Sequence, residues 1–323
     1  MSLKEVVVRR HQLKQTTREF FTGRHYLEVD TPVITVCPGT EVFLHYFGTE
    51  WVDFQGRSHR RFLRSSPELH MKRLIAEGIE SIFQLGPCFR NNGELSEWHN
   101  PEFYMLEWYQ MGLGYHEMMA QTEDYLRFSA EKMASLTGIS PSKVLPTRFQ
   151  KVRVSEAFAE FAGIELVDLD PDLAAQARAL GVISVRNEDD FESAFFKILI
   201  EKVEPAIAQL GGCILYDYPP SQAALAVVED GRACRFEFYL GRVELCNGFY
   251  ELTGEEENRA RFEEAMVARK KAGFSRVPAD EDYFKAMSKF SKPCAGNALG
   301  FDRWLTLLCN GTNLKSAISF PGV

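Results

Sequence analysis

The decapeptide PEFYMLEWYQ, residues 101–110, is the feature that most restricts how this chain can fold. It alternates with a period of two, which is the period of a strand. Phe103, Met105, Glu107 and Tyr109 fall on one side, and Tyr104, Leu106 and Trp108 on the other. The second side is apolar enough to face a core. The first carries a carboxylate among aromatics, and burying it costs free energy unless a cation pairs with it. The alternative is a surface strand on which Glu107 is simply hydrated. Residues 81–89 supply a second strand, which makes the polar stretch between them a long hairpin loop. Arg90 and His99 bracket that loop, where they can hold phosphate or merely stay in water.

CRFEFYLGRVELCNGFYEL, residues 234–252, repeats the design. Asn247, Phe249 and Glu251 share a face, again an acid beside an aromatic. A two-residue turn at Gly241-Arg242 pairs Tyr239 with Glu244 and sets Glu237 diagonally on the same side. Two acids so close repel unless a divalent cation or a proton lies between them, and Mg²⁺ suits carboxylate oxygens and substrate phosphates. An exposed hairpin with incidental glutamates is the alternative. Simple alternation puts Glu244 and Glu251 on opposite faces, so a shared cleft requires a bulge or bend near Gly248. Further on, AGNALGFDRW is a small-residue strand entering a helix whose first turn holds Arg303, a setting that suits an anion. An Asp302–Arg303 pair at a helix start is the plainer reading.

Around these elements, residues 4–21 read as an amphipathic helix with Val6, Leu13, Thr17 and Phe20 on one side. YLEVDTPVI reads as a strand broken at Pro32. In SSPELHMKRLIAEG, Ser66 caps a helix, Pro67 opens it and Gly78 ends it. Residues 115–136 are helical, with Met118, Thr122, Tyr125 and Leu126 inward. Residues 140–212 are mixed and carry no recognisable chemistry. Hairpins among separate helices give an α+β fold, an antiparallel sheet flanked by helices. No repeat, linker or seam divides residues 1–323, which read as one domain.

The net charge of −8 argues against binding nucleic acid by bulk attraction. Seven cysteines without a CxxC pair suggest neither a disulfide framework nor a zinc site. The charged N-terminus is not a signal peptide, and no apolar run approaches the roughly 18 residues of a membrane span. The chain reads as soluble and cytoplasmic.

FRNN…HNPEFYMLEWY resembles motif 2 of the class II aminoacyl-tRNA synthetases, NALGFDRWLTLL their motif 3 and YLEVDTP their motif 1. SSPELHMKRL and ELCNGFYEL resemble the substrate segments of the lysyl branch. Motif 1 begins near residue 27, which leaves no room for the branch's anticodon-binding barrel. A lysyl-type catalytic domain alone, with PPSQAALA and an alanine in motif 3, is similar to the stand-alone ligases that modify elongation factor P. The resemblance implies a six-stranded antiparallel sheet and a homodimer formed through motif 1 around Pro32. It implies ATP held by Arg90 at the α-phosphate, with Asn92 and His99, and adenine between Phe103 and Arg303. Mg²⁺ is assigned to Glu237 and Glu244. The amino acid is assigned to Glu68, Glu107, Tyr109, Asn247, Phe249 and Glu251, carboxylates suited to the two ammonium groups of lysine or (R)-β-lysine. Ala298, where lysyl-tRNA synthetases generally have glycine, points to (R)-β-lysine over L-lysine. The implied reaction forms an aminoacyl-adenylate and passes it to a lysine of elongation factor P.

Three places depart from the pattern. Asn92 stands where the family usually has glutamate, the loop to His99 is one residue longer, and no arginine precedes His99. Charging of tRNA, or ligation to a small amine, are the rival readings of the same adenylation chemistry.

Overall fold

Val6, Leu13, Thr17 and Phe20 recur at helical spacing and lie buried along α1 (Leu3–Thr22), whose start is closed by a Ser2–Glu5 capping box. Phe21, at its end, stacks on Phe83 with ring centroids 4.9 Å apart and touches Trp108. The computed structural model describes residues 2–91 and 96–321. The chain forms two units, Met1–Val144 with Glu251–Val323, and Leu145–Tyr250.

In the first unit α1 leads to the short β1 (Leu27–Glu28) and β2 (Ile34–Thr35), separated across Pro32 as expected, then to β3 (Gly48–Val52) and β4 (Ser58–Leu63). Next come α2 (Glu68–Ala76), β5 (Ser81–Phe89), β6 (Glu102–Met111) and α3 (Tyr115–Thr137). The Ser66 hydroxyl accepts from the Glu68 amide at 2.9 Å just ahead of α2, but the N-cap is Pro67 rather than Ser66, and Gly78 lies past the helix end at φ +93°.

The second unit contains β7 (Gln150–Arg153), α4 (Val154–Ala157), α5 (Leu173–Ala179), α6 (Phe191–Ile198) and α7 (Glu204–Ala208). It continues through β8 (Gly212–Tyr218), β9 (Val228–Glu229), β10 (Arg232–Leu240) and β11 (Val243–Tyr250). Residues 140–212 thus find a role as packing. Phe158, Phe195 and Ile198 form a core with Cys213 and Leu215 of β8. The chain then returns to the first unit through α8 (Glu255–Lys271), α9 (Glu281–Met287), β12 (Cys294–Gly300) and α10 (Phe301–Leu308).

The first unit orders its main strands β1-β5-β6-β12, with a separate β2-β4-β3 sheet. The second orders β11-β10-β8-β7, with β9 against β10. The expected antiparallel strands are present, β5, β6 and β12 in one unit and β8, β10 and β11 in the other. The strand count exceeds six because short strands extend both sets, and two of them, β1 on β5 and β7 on β8, run parallel. Among the described residues no helix is long and apolar enough to cross a membrane. All seven cysteines are free thiols.

Candidate active site

Glu107 is not hydrated: it is 0% exposed, at the centre of the first unit's sheet. Its Oε1 accepts from the Ser66 hydroxyl at 2.7 Å and its Oε2 from the Tyr109 hydroxyl at 3.1 Å. Burial, reinforced by the charge of Glu68, pushes its carboxyl up to about 8, against the pull of those two hydroxyls and Arg64. Glu251, also buried, reaches the same region from the start of the returning segment.

Beside Glu251 lies a residue that the pattern gave no reason to single out. Lys72, on α2, is 0% exposed and places its ammonium 2.6 Å from Glu68 Oε1 and 2.5 Å from Glu251 Oε2. Burial opposes its charge, but Glu251 and Glu68 outweigh that and hold its pKa well above the usual range. Glu251 is pulled up to about 7 by burial, against the attraction of Lys72. The i, i+4 spacing of Glu68 and Lys72 was a visible signal, though one shared with many surface helices.

The small residues of β12 have a steric cause. Gly296 pairs with Tyr109, and a Cβ there would run into the Tyr109 ring and Glu251 Oε1. Ala298 pairs with Glu107, so its methyl stands directly across from that carboxylate. Glu68, Glu107, Tyr109, Glu251 and Ala298 are therefore brought together within one unit.

The residues expected at ATP form a second group. The Arg90 guanidinium carbon lies 5.2 Å from the Phe103 ring centroid, and Arg90 Nε is buried without a hydrogen-bond partner among the described residues. Phe103 also borders a cavity of about 580 Å³, whose other walls include Arg10, Tyr104 and Asp302 but not Arg90, His99 or Arg303. Arg303 meets His99 at 2.9 Å and donates to the Trp98 carbonyl at 3.3 Å. Asp302 is engaged elsewhere, by Arg10 of α1 and by the Tyr104 amide at 2.8 Å. Asn92 falls outside the described residues.

The second unit carries the remaining candidates on one hairpin. Tyr239 pairs with Glu244, as the turn predicted, and Glu237 with Asn247 and Arg235 with Phe249. The bulge is not at Gly248. The register shifts between Phe238 and Tyr239, opposite Cys246 and Glu244, so Leu245 is the extra residue. Gly248 is small for another reason, since a Cβ there would strike the Phe236 ring. The bulge turns Glu244 onto the face of Asn247 and Phe249. Glu237 is buried and already has a cation: Arg235 holds its Oε1 at 2.6 Å, Asn247 donates to the same atom at 3.3 Å, and Tyr239 donates to Oε2 at 2.8 Å. Asn247 Oδ1 is buried and has no hydrogen-bond partner among the described residues. Among the described residues no three His, Cys, Asp or Glu side chains form a cage of their own. The oxygens of Glu237, Glu244 and Asn247 fit Mg²⁺, which is held by few protein oxygens and completes its shell with water and phosphate.

The family model for class II tRNA synthetases (D, K and N) matches residues 1–323. A protein of Hamiltonella defensa named elongation factor P--(R)-beta-lysine ligase is 34% identical over 98% of this chain and 94% of its own. Proteins of the same name from Vibrio cholerae and Pseudoalteromonas translucida are 35% and 36% identical. They cover 97% and 95% of this chain, and 94% and 92% of their own. Sheet, motifs and full-length match agree, and the chain belongs to the class II tRNA synthetases of the D, K and N group.

Proposed function

We propose that this chain is an ATP-dependent ligase that activates (R)-β-lysine, or lysine, and transfers it to a lysine side chain of elongation factor P. The observation that carries the reading is the set of buried acids in the first unit, Glu68 and Glu251 on Lys72 and Glu107 on Ser66 and Tyr109. Their oxygens suit a substrate with two ammonium groups, and the names of the relatives point to the same amino acid and acceptor.

In this reading Glu68, Glu107, Tyr109, Asn247, Phe249 and Glu251 recognise the amino acid, and Ala298 sets the preference for the β-isomer. Arg90, Asn92, His99, Phe103 and Arg303 bind ATP. A carboxylate oxygen of the amino acid attacks the α-phosphorus, the bond to the bridging oxygen breaks, and pyrophosphate leaves with the electron pair. Arg90 neutralises charge at the α-phosphate and Arg303 at the far end, so positioning and electrostatics supply most of the rate. Glu237 and Glu244 would hold Mg²⁺, which would supply further neutralisation of phosphate charge. The acceptor amine then attacks the acyl carbon, AMP leaves, and the amine releases its proton as the amide forms. Residues 1–323 act as one catalytic domain, in the cytoplasm and as a homodimer. Exposed Val7 and Val8 on α1, with Leu27, Ile34 and Val36 around Pro32, offer the apolar surface for pairing.

Intact-mass spectrometry tests this. Purified elongation factor P incubated with the protein, ATP and Mg²⁺ should gain the mass of one lysine residue, more with (R)-β-lysine than with L-lysine. An unmodified factor beside an aminoacylated tRNA, or beside a ligated small amine, would overturn the acceptor.

A further inference from the structure

We infer that Lys72 is a positioning residue of the amino-acid pocket, an internal counter-cation that holds the Glu251 and Glu68 carboxylates in place while the pocket is empty. The inference rests on the function proposed above and adds a residue to it. Lys72 lies on α2 with no exposed surface, so its ammonium has no water to fall back on and is held by two carboxylates, at 2.6 and 2.5 Å. Leaving a lone buried ammonium would be strongly unfavourable. The carboxylates gain equally. Glu251 Oε2 is fixed by Lys72, and its Oε1 is left toward Gly296 and Tyr109, where no Cβ could fit. One oxygen is thus spent on internal anchoring and the other is left for an incoming ammonium.

Several groups face this pair: Glu68 from α2, Glu107 and Tyr109 from β6, Tyr283 from α9 and Cys294 from β12, with Arg64 acting on Glu107. Burial raises Tyr109, Tyr283 and Cys294 above their usual values. Glu251 at about 7 and Glu107 at about 8 are therefore the groups that change charge near neutrality. An ammonium binds to the ionised acids, so the KM for the amino acid falls as pH rises through both. Without Lys72, Glu251 loses the one partner that lowers its pKa, while burial and Glu68 still raise it.

The test is amino-acid-dependent pyrophosphate exchange by Lys72→Met and wild type, from about pH 6 to about pH 9. At pH 7 the variant should show a KM for (R)-β-lysine or lysine raised by about tenfold or more. The gap should close with rising pH, so that the falling limb moves up by about one pH unit while the KM for ATP stays put. A KM raised by one constant factor at every pH, as loosened packing would give, or no change, overturns the inference. If Lys72→Met does not fold, Lys72→Arg keeps the charge. Its limb should stay at the wild-type pH whatever happens to the absolute KM, and a displaced limb there also overturns the inference. Absence of exchange by wild type with either amino acid would instead overturn the functional reading.

Discussion

Glu107 and Ala298 stand directly opposite each other on β6 and β12, so the group at 298 bears on how a substrate amine approaches that carboxylate. Replacing Ala298 with glycine removes one methyl, a change worth roughly 1–3 kcal/mol in such a pocket. Ala298→Gly should raise exchange with L-lysine relative to (R)-β-lysine by about tenfold, and an unchanged ratio would show that the methyl is only packing. Glu107 also sets a pH dependence of stability. Its folded-state pKa lies at about 8 against an ordinary 4.5, so the fold favours the protonated form. That contribution is complete below the unfolded value and is lost as pH climbs from about 4.5 to about 8. Glu107→Gln cannot ionise, and should therefore melt several degrees above wild type near pH 9 while differing little near pH 5. Thermal melts at the two pH values check this, and amino-acid activation should fall in the same variant. The sequence made Glu107 legible because an acid among alternating aromatics is anomalous. Lys72 escaped notice because a lysine four residues after a glutamate looks the same on a wet helix as on a buried one.

Among elements, period-two strands and helix starts were readable because local chemistry decides them: Pro32 breaks a strand, Ser66-Pro67 opens a helix, and Gly241-Arg242 turns a hairpin. The bulge was readable only as a necessity. Its location at Leu245 depends on which partner strand each residue meets, and the nearby Gly248 was conspicuous for a different reason, its contact with Phe236. Deleting Leu245 tests the element directly. Without the extra residue a regular ladder keeps the Tyr239–Glu244 and Phe238–Cys246 pairs and leaves Glu244 on the face of Asn247 and Phe249. Exchange activity and its response to added Mg²⁺ should then persist, while circular dichroism keeps the strand signal. Collapsed activity would show that the bulge does more than set the face of Glu244.

For the molecule as a whole, the two units differ in how they are written in the chain. Leu145–Tyr250 is one continuous run with its own core of Phe158, Phe195, Ile198 and Leu215. Expressed alone, it should melt cooperatively; a featureless melt would show that this core does not suffice. The first unit is split. Glu68, Lys72 and Glu107 precede the insertion, whereas Glu251 and the Gly296 strand that pairs with β6 follow it. A ribosome must therefore deliver the whole intervening unit before Lys72 can meet Glu251. Until then the nascent chain carries its future pocket as an unfinished sheet, and the site closes only after the strand that holds Gly296 has been made.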